Sequence, residues 1–168
     1  MSTNLSSDAS ASGAVDQLYA VLLGLRDDAL LLPNAGIVEV IARDGLEALQ
    51  GTPRWFAGVI DWQGIELPVI QFEQLAGEAE STSTRRNRIA VLNCIGRDLP
   101  GSHFGVLCEG YPHLITLNRA ALRSAPSRDS DRNGFVLARV RVASTEAAIP
   151  NLAGIEAELL RLLETPPA

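Results

Sequence analysis

The first apolar stretch of the chain, Leu18 to Leu25, is nearly continuous and has the length of one strand. Arg26-Asp27-Asp28 interrupts it as a polar turn, and Ala29-Leu30-Leu31-Leu32-Pro33 returns, which predicts a hairpin closed by Pro33. Ile37 to Ile41 is β-branched apart from Glu39 and fits either a strand or one helical turn. Phe56–Ile60 and Ile65–Ile70 flank Asp61-Trp62-Gln63-Gly64, the pattern of a second hairpin. Pro68 is expected at a sheet edge or bulge, because proline cannot donate to a ladder. Phe72–Leu75 reads as one helical turn capped by Gly77.

Glu78 to Asn87 is polar and reads as a mobile connector. Strand-like runs resume at Arg88–Ile95, His103–Glu109 and His113–Leu117. A charged loop, Ser124 to Gly134, is expected to be mobile. Phe135–Val142 then alternates, with Val136, Ala138, Val140 and Val142 on one face and Arg139 and Arg141 on the other. Near the end the period changes. Leu152, Ile155, Leu159, Leu162 and Leu163 recur at helical spacing behind Asn151, a suitable N-cap, and Pro166-Pro167 stop the helix. Short strands broken by frequent turns argue a mainly β barrel or sandwich with one C-terminal helix, and no βαβ crossover. The expected organisation is a flexible tail over residues 1–14, one domain over 15–164, and a short tail over 165–168.

Composition narrows the function. The 168 residues are 46% hydrophobic, enough for a sizeable core. The net charge of -6, with one basic cluster at Arg85, Arg86 and Arg88, speaks against nucleic acid. All 14 cations are arginine, so every basic contact uses a planar fork. No apolar run approaches the ~18 residues of a membrane span, and Met1–Gly13 lacks the features of a signal peptide. A cytoplasmic protein without direct membrane insertion is expected.

Candidate chemistry is thin. Cys94, His103, Cys108 and His113 are soft ligands close in sequence, yet none forms a close ligand pair. In a regular strand His103 and Cys108 point to opposite faces. Asp27-Asp28 and Glu156/Glu158 read as solvated surface. No phosphate-binding glycine fingerprint is present. No catalytic residue, metal or cofactor is expected. Trp62, at the expected hairpin tip, and Tyr111, after Glu109-Gly110, are the aromatic candidates for contact with a partner.

Three stretches resemble the CheW-like domain, the coupling module of bacterial chemosensory arrays. Ile37-Val38-Glu39-Val40 is similar to its V-x-E-I segment. Thr52-Pro53 followed by Gly58 to Ile70 is similar to its T-P…G-V-x-x-L-R-G-x-x-x-P-V pattern. Phe104 to Tyr111 is similar to its V-G-I-V-V-D-G-V strand and turn. The resemblance implies two SH3-like five-stranded β-barrel subdomains on a shared core, with a C-terminal α-helix. It further implies a non-catalytic adaptor between the cytoplasmic tip of a methyl-accepting chemoreceptor and the regulatory domain of a CheA-like histidine kinase. The family's receptor site is an apolar groove between barrels, and its kinase contacts lie at barrel ends. By matching position, Ile37, Gln63, Phe104 and Tyr111 would line or border the groove, with Glu39, Asp61 and Trp62 near it. Gln63 stands where the family carries Arg, Trp62 where it carries Leu, and Gln71 where it carries Asp. These departures fit an auxiliary coupling protein of the kind that serves type IV pili and twitching motility. Two other readings remain open: a small-ligand sensor using the inter-barrel groove, and a metal or thiol enzyme using the two cysteines and two histidines.

Overall fold

A computed structural model describes residues 17–78 and 88–165. Strands β1 (Leu18–Gly24) and β2 (Ala29–Pro33) form the first hairpin, paired from Ala20↔Pro33 to Gly24↔Ala29. β3 (Ile37–Ala42) is a strand. Its β-branched residues lose side-chain freedom in a helix and pack well on a pleated surface. β4 (Phe56–Trp62) and β5 (Ile65–Ile70) form the second hairpin, followed by α1 (Phe72–Leu75) and by Gly77 in the left-handed region. β6 (Arg88–Asn93), β7 (His103–Cys108) and β8 (His113–Leu117) come next. β9 (Leu122–Ser124), β10 (Val136–Val142), β11 (Thr145–Pro150) and α2 (Leu152–Glu164) complete the described chain.

The strands make two sheets. One has the order β8-β1-β2-β11-β10-β9 and the other β3-β6-β7-β5-β4. The first sheet is therefore built from both ends of the chain, and the second from its middle. Six strands rather than five make the first sheet, because Leu122–Ser124 adds a short edge beside β10. Both sheets curl. In the second, Trp62 on one edge strand donates from Nε1 to Glu39 Oε2 on the other at 3.0 Å, and Glu47 bridges Val59. In the first, the edge strands β8 and β9 are joined by residues 118–121 alone.

Three apolar clusters follow. Ala20, Leu31, Leu117, Val140 and Ala147 fill the first unit. Ile60, Trp62, Leu67, Ile89 and Leu107 fill the second. The largest lies between the units and under α2, with Leu23, Leu30, Phe72, Leu92, Phe104, Ile155 and Leu159. Strand alternation explains the division: one parity of β1 faces its own unit, and the other faces the shared core. α2 starts where expected, with Asn151 Oδ1 accepting from the Gly154 N–H.

Several expectations need correction. β5 is internal, not an edge, although Pro68 lies just before the two residues, Val69 and Ile70, that pair with β7. The β4–β5 turn is only Gln63-Gly64, both at positive φ, so Trp62 is the last residue of β4 and buried. Two-residue hairpins take this twist because it matches that of the strands. The segment 124–134 carries β9 and a 3-10 turn, Asp129–Asn133. Of the connector expected over 78–87 only Glu78 is described, and the two expected tails lie outside the described residues apart from Thr165.

Charge organises that last segment. Arg139, expected on the face opposite the valines, is buried and grips two carboxylates. Its Nη1 and Nη2 donate to Asp28 Oδ1 and Oδ2 at 2.9 and 3.1 Å. Its Nε and Nη2 donate to Asp131 Oδ2 and Oδ1 at 2.9 and 2.8 Å. Asp28 thus belongs to the interior rather than to an open turn, its side chain 2% exposed. Arg128 adds a cation 3.5 Å from Asp28 and 3.3 Å from Glu78. Such double-forked pairs are the strong form of charged hydrogen bond. They pin the 3-10 turn to the first hairpin.

Candidate partner-binding surface

The candidate residues do not share one patch. Six lie toward the His103 end of β7. Ile37 pairs with Leu92, which pairs with Phe104, so these three side chains share the face of the second sheet that meets the shared core. Ile37 is half-buried there, and Phe104 is wholly buried. Phe104 therefore lies beneath any groove and offers no contact, a correction that follows from strand parity. Trp62 is likewise interior: it packs with Leu67 and Val91 in the second unit, and its ring centroid lies 4.9 Å from that of His103. Its indole hydrogen bond places the Glu39 carboxylate at the closure of the barrel. Asp61 and Gln63 remain exposed at the barrel end.

Tyr111 lies past the opposite end of β7. Five residue steps separate His103 from Cys108, about 17 Å of strand. Tyr111 is exposed, and the Arg88 guanidinium sits 4.5 Å from its ring centroid. Close to it in sequence is a surface that residue patterning alone did not reveal. Val21 pairs with Leu114 and Tyr19 with Thr116, so Tyr19, Val21 and Leu114 share the outer face of the first sheet. Further along that face Leu23 enters the shared core. Tyr19 and Leu114, 59% and 64% exposed, are where the same apolar face emerges from it. The missed signal was the alternation in β8, which sends Ile115 and Leu117 inward and Leu114 outward.

The soft-ligand quartet is dispersed. Cys108 faces the shared core, Cys94 packs against it, and the His103 ring is held by the Gly101 carbonyl and Trp62. Among the described residues no cluster of three or more such groups could hold a metal ion. Burial pushes the Cys94 thiol up to about 12, with the nearby Glu156 carboxylate adding to the effect. Burial likewise raises Cys108 to about 11. Thiols in that range are protonated at neutral pH and poor nucleophiles.

Glu156 is a further departure, buried on the inner stripe of α2 rather than on its outer face. Among the described residues no helix is long and apolar enough to cross a membrane.

The fold has a solved counterpart. The crystal structure of the scaffolding protein TtCheW from Thermoanaerobacter tengcongensis matches with a TM-score of 0.65 at 18% identity, covering 80% of this chain and 84% of that one. No curated protein sequence matches the chain. A sequence model of the CheW-like domain matches residues 20–158, and with that span the chain belongs to the CheW-like domain family.

Proposed function

We propose that the protein is a non-catalytic adaptor that couples a chemoreceptor to a CheA-like histidine kinase in chemosensory signalling. The observation that carries this reading is the presence of two separate exposed surfaces on units that share one core. An adaptor must hold two partners at once. The apolar strip of Tyr19 and Leu114, with Tyr111 nearby, suits a helical receptor tip, because aromatic and aliphatic side chains at a seam supply the desolvated centre of an interface. The polar barrel end at Asp61 and Gln63, with Glu39, which the resemblance placed at the receptor groove, lies apart from that strip and in this reading serves the regulatory domain of the kinase instead. Gln63 replaces the family's arginine there, which removes one charge and a two-pronged donor. That loss supports an auxiliary member with its own kinase or receptor, of the type that serves pilus-driven motility.

Binding of purified chemoreceptor cytoplasmic fragment and of kinase regulatory domain, measured separately, tests the assignment. Leu114→Ser with Tyr111→Ala should weaken receptor binding at least tenfold and spare the kinase. Gln63→Glu should do the reverse. Loss of the same partner by both variants, or of neither, would refute the two-surface arrangement.

A further inference from the structure

The first sheet does not close on itself. Among the described residues β8 pairs only with β1 and β9 only with β10, which leaves two strand edges free. A cavity of about 770 Å³ lies between them, bordered by Ile115 and Thr116 of β8, by Ala121, and by Arg123, Arg141 and Val142 across the gap. Register shows that the interior is uncovered along this seam. Leu122 opposes Val142, which belongs to the core of the first unit, yet Leu122 is 37% exposed. Ile115, packed against the same core, is only half-buried.

A free strand edge presents unpaired N–H and C=O groups, and proteins ordinarily blunt it with a charge, a proline or a bulge. β8 has none of these. His113-Leu114-Ile115-Thr116-Leu117 contains no acid, arginine or proline, and its register with β1 is unbroken from Leu18↔Leu117 to Leu22↔His113. Charge is arranged oddly on the far side of the seam. Arg123 and Arg141 stand directly opposite each other on β9 and β10, where like charges repel. Arg141 is paired with Glu146, whereas Arg123 has no hydrogen-bond or ion-pair partner among the described residues. On a chain of net charge -6, two guanidiniums against one carboxylate make a local reversal of sign. A planar fork left free in this way suits a carboxylate.

From this arrangement we propose that the seam between β8 and β9 takes an extended acidic segment of a partner protein as an added strand. Its backbone pairs with the free edge of β8. Apolar side chains on one face of the segment cover Ile115 and Leu122, and a carboxylate on the other face meets Arg123. Main-chain pairing supplies the affinity in this mode, and alternate side chains supply the specificity. The seam is made by strand edges, not by the outer face that carries Tyr19 and Leu114, and the inference does not depend on the adaptor reading.

The test is amide chemical-shift titration and hydrogen exchange of the full chain with the acetylated, amidated peptide SVEVTVES. Saturable binding is expected, with shifts at Ile115, Thr116, Leu122 and Arg123 and slowed exchange in β8. The peptide SVKVTVKS reverses the charge and should bind at least tenfold more weakly. SVEPPVES keeps both carboxylates but loses donors on both of its edges, and it should also bind at least tenfold more weakly. Arg123→Gln removes a side chain that holds nothing else in place, so it should weaken SVEVTVES at least fivefold with the spectrum otherwise preserved. Glutarate at the same carboxylate concentration should leave exchange in β8 unchanged. No saturable shifts, equal binding of either control peptide, slowed exchange with glutarate, or unchanged binding by Arg123→Gln would overturn the assignment.

Discussion

Arg139→Met isolates the energetic worth of the buried ion cluster. The substitution removes four charged hydrogen bonds, two to Asp28 and two to Asp131. It leaves Asp28, 2% exposed, with the Ala29 N–H at 2.8 Å and Arg128 at 3.5 Å as its nearest compensation. Breaking a buried pair by deleting one partner costs about 3–5 kcal/mol, because the remaining charge stays desolvated. Against a total stability of about 5–15 kcal/mol, that is a large fraction. For a domain of this size each kcal/mol lowers Tm by roughly 2–4 °C, so a fall of roughly 6–20 °C is expected. Urea unfolding followed by tryptophan fluorescence and by circular dichroism measures it. Arg139→Lys should recover only part of the loss, since an ammonium cannot grip two carboxylates through two forks. The combination of Asp28→Asn with Arg139→Met should cost less than the two changes summed. A loss below about 1 kcal/mol for Arg139→Met, or a lysine variant as stable as the parent, would refute the cluster as a structural anchor.

Three further outcomes can be measured. The Arg139 guanidinium, through hydrogen bonding first and charge second, holds the Asp131 carboxyl below its ordinary value. Its contribution is therefore complete at neutral pH and is lost as pH falls below about 4 toward its folded-state pKa. Asp131→Asn should flatten the acid limb of a pH–stability curve, and an unchanged limb would contradict this. Gly58 sits at φ 139 on the bulge of β4, where a Cβ would collide with the Glu47 backbone carbonyl. Gly58→Ala should cost about 2–4 kcal/mol in chemical denaturation, and a cost under about 0.5 kcal/mol would show that the bridge at Glu47 is dispensable. Glu156 raises the Cys94 thiol pKa, so Glu156→Gln should lower it and speed iodoacetamide alkylation at pH 9–10. An unaltered pH profile would mean that burial alone sets the value.

Period and turn chemistry carried much of the fold. Leu18–Pro33, Phe56–Ile70 and α2 were legible because each is organised by neighbours in sequence: strand alternation, a tight turn, an N-cap. Buried charge was not legible. Asp28 and Arg139 are 111 positions apart, and nothing local to either one signals the other. Arg139 alternates with valines as an outward residue should, yet the 3-10 turn folds over that outer face and covers it. Trp62 was misplaced for a different reason. The hairpin loop is two residues rather than four, which moves the ring from the tip into the strand and turns it inward. Family likeness identified relevant segments, but surface and interior positions within them were decided by register. Phe104 and Tyr111 belong to one motif, and one is sealed while the other is open.

The order in which the first sheet is assembled has a consequence for biosynthesis. β2 leaves the ribosome long before β11, its neighbour through Leu30 and Ala148. At elongation rates of about 5–20 residues per second, the leading hairpin waits on the order of ten seconds for that partner. The middle strands, whose pairings are complete among themselves, can fold in the interval and offer the hairpin an apolar surface to rest on. Chains truncated after Leu117 and released should therefore resist protease across residues 37–78 and 88–108, while the opening hairpin stays cleavable without the last strands.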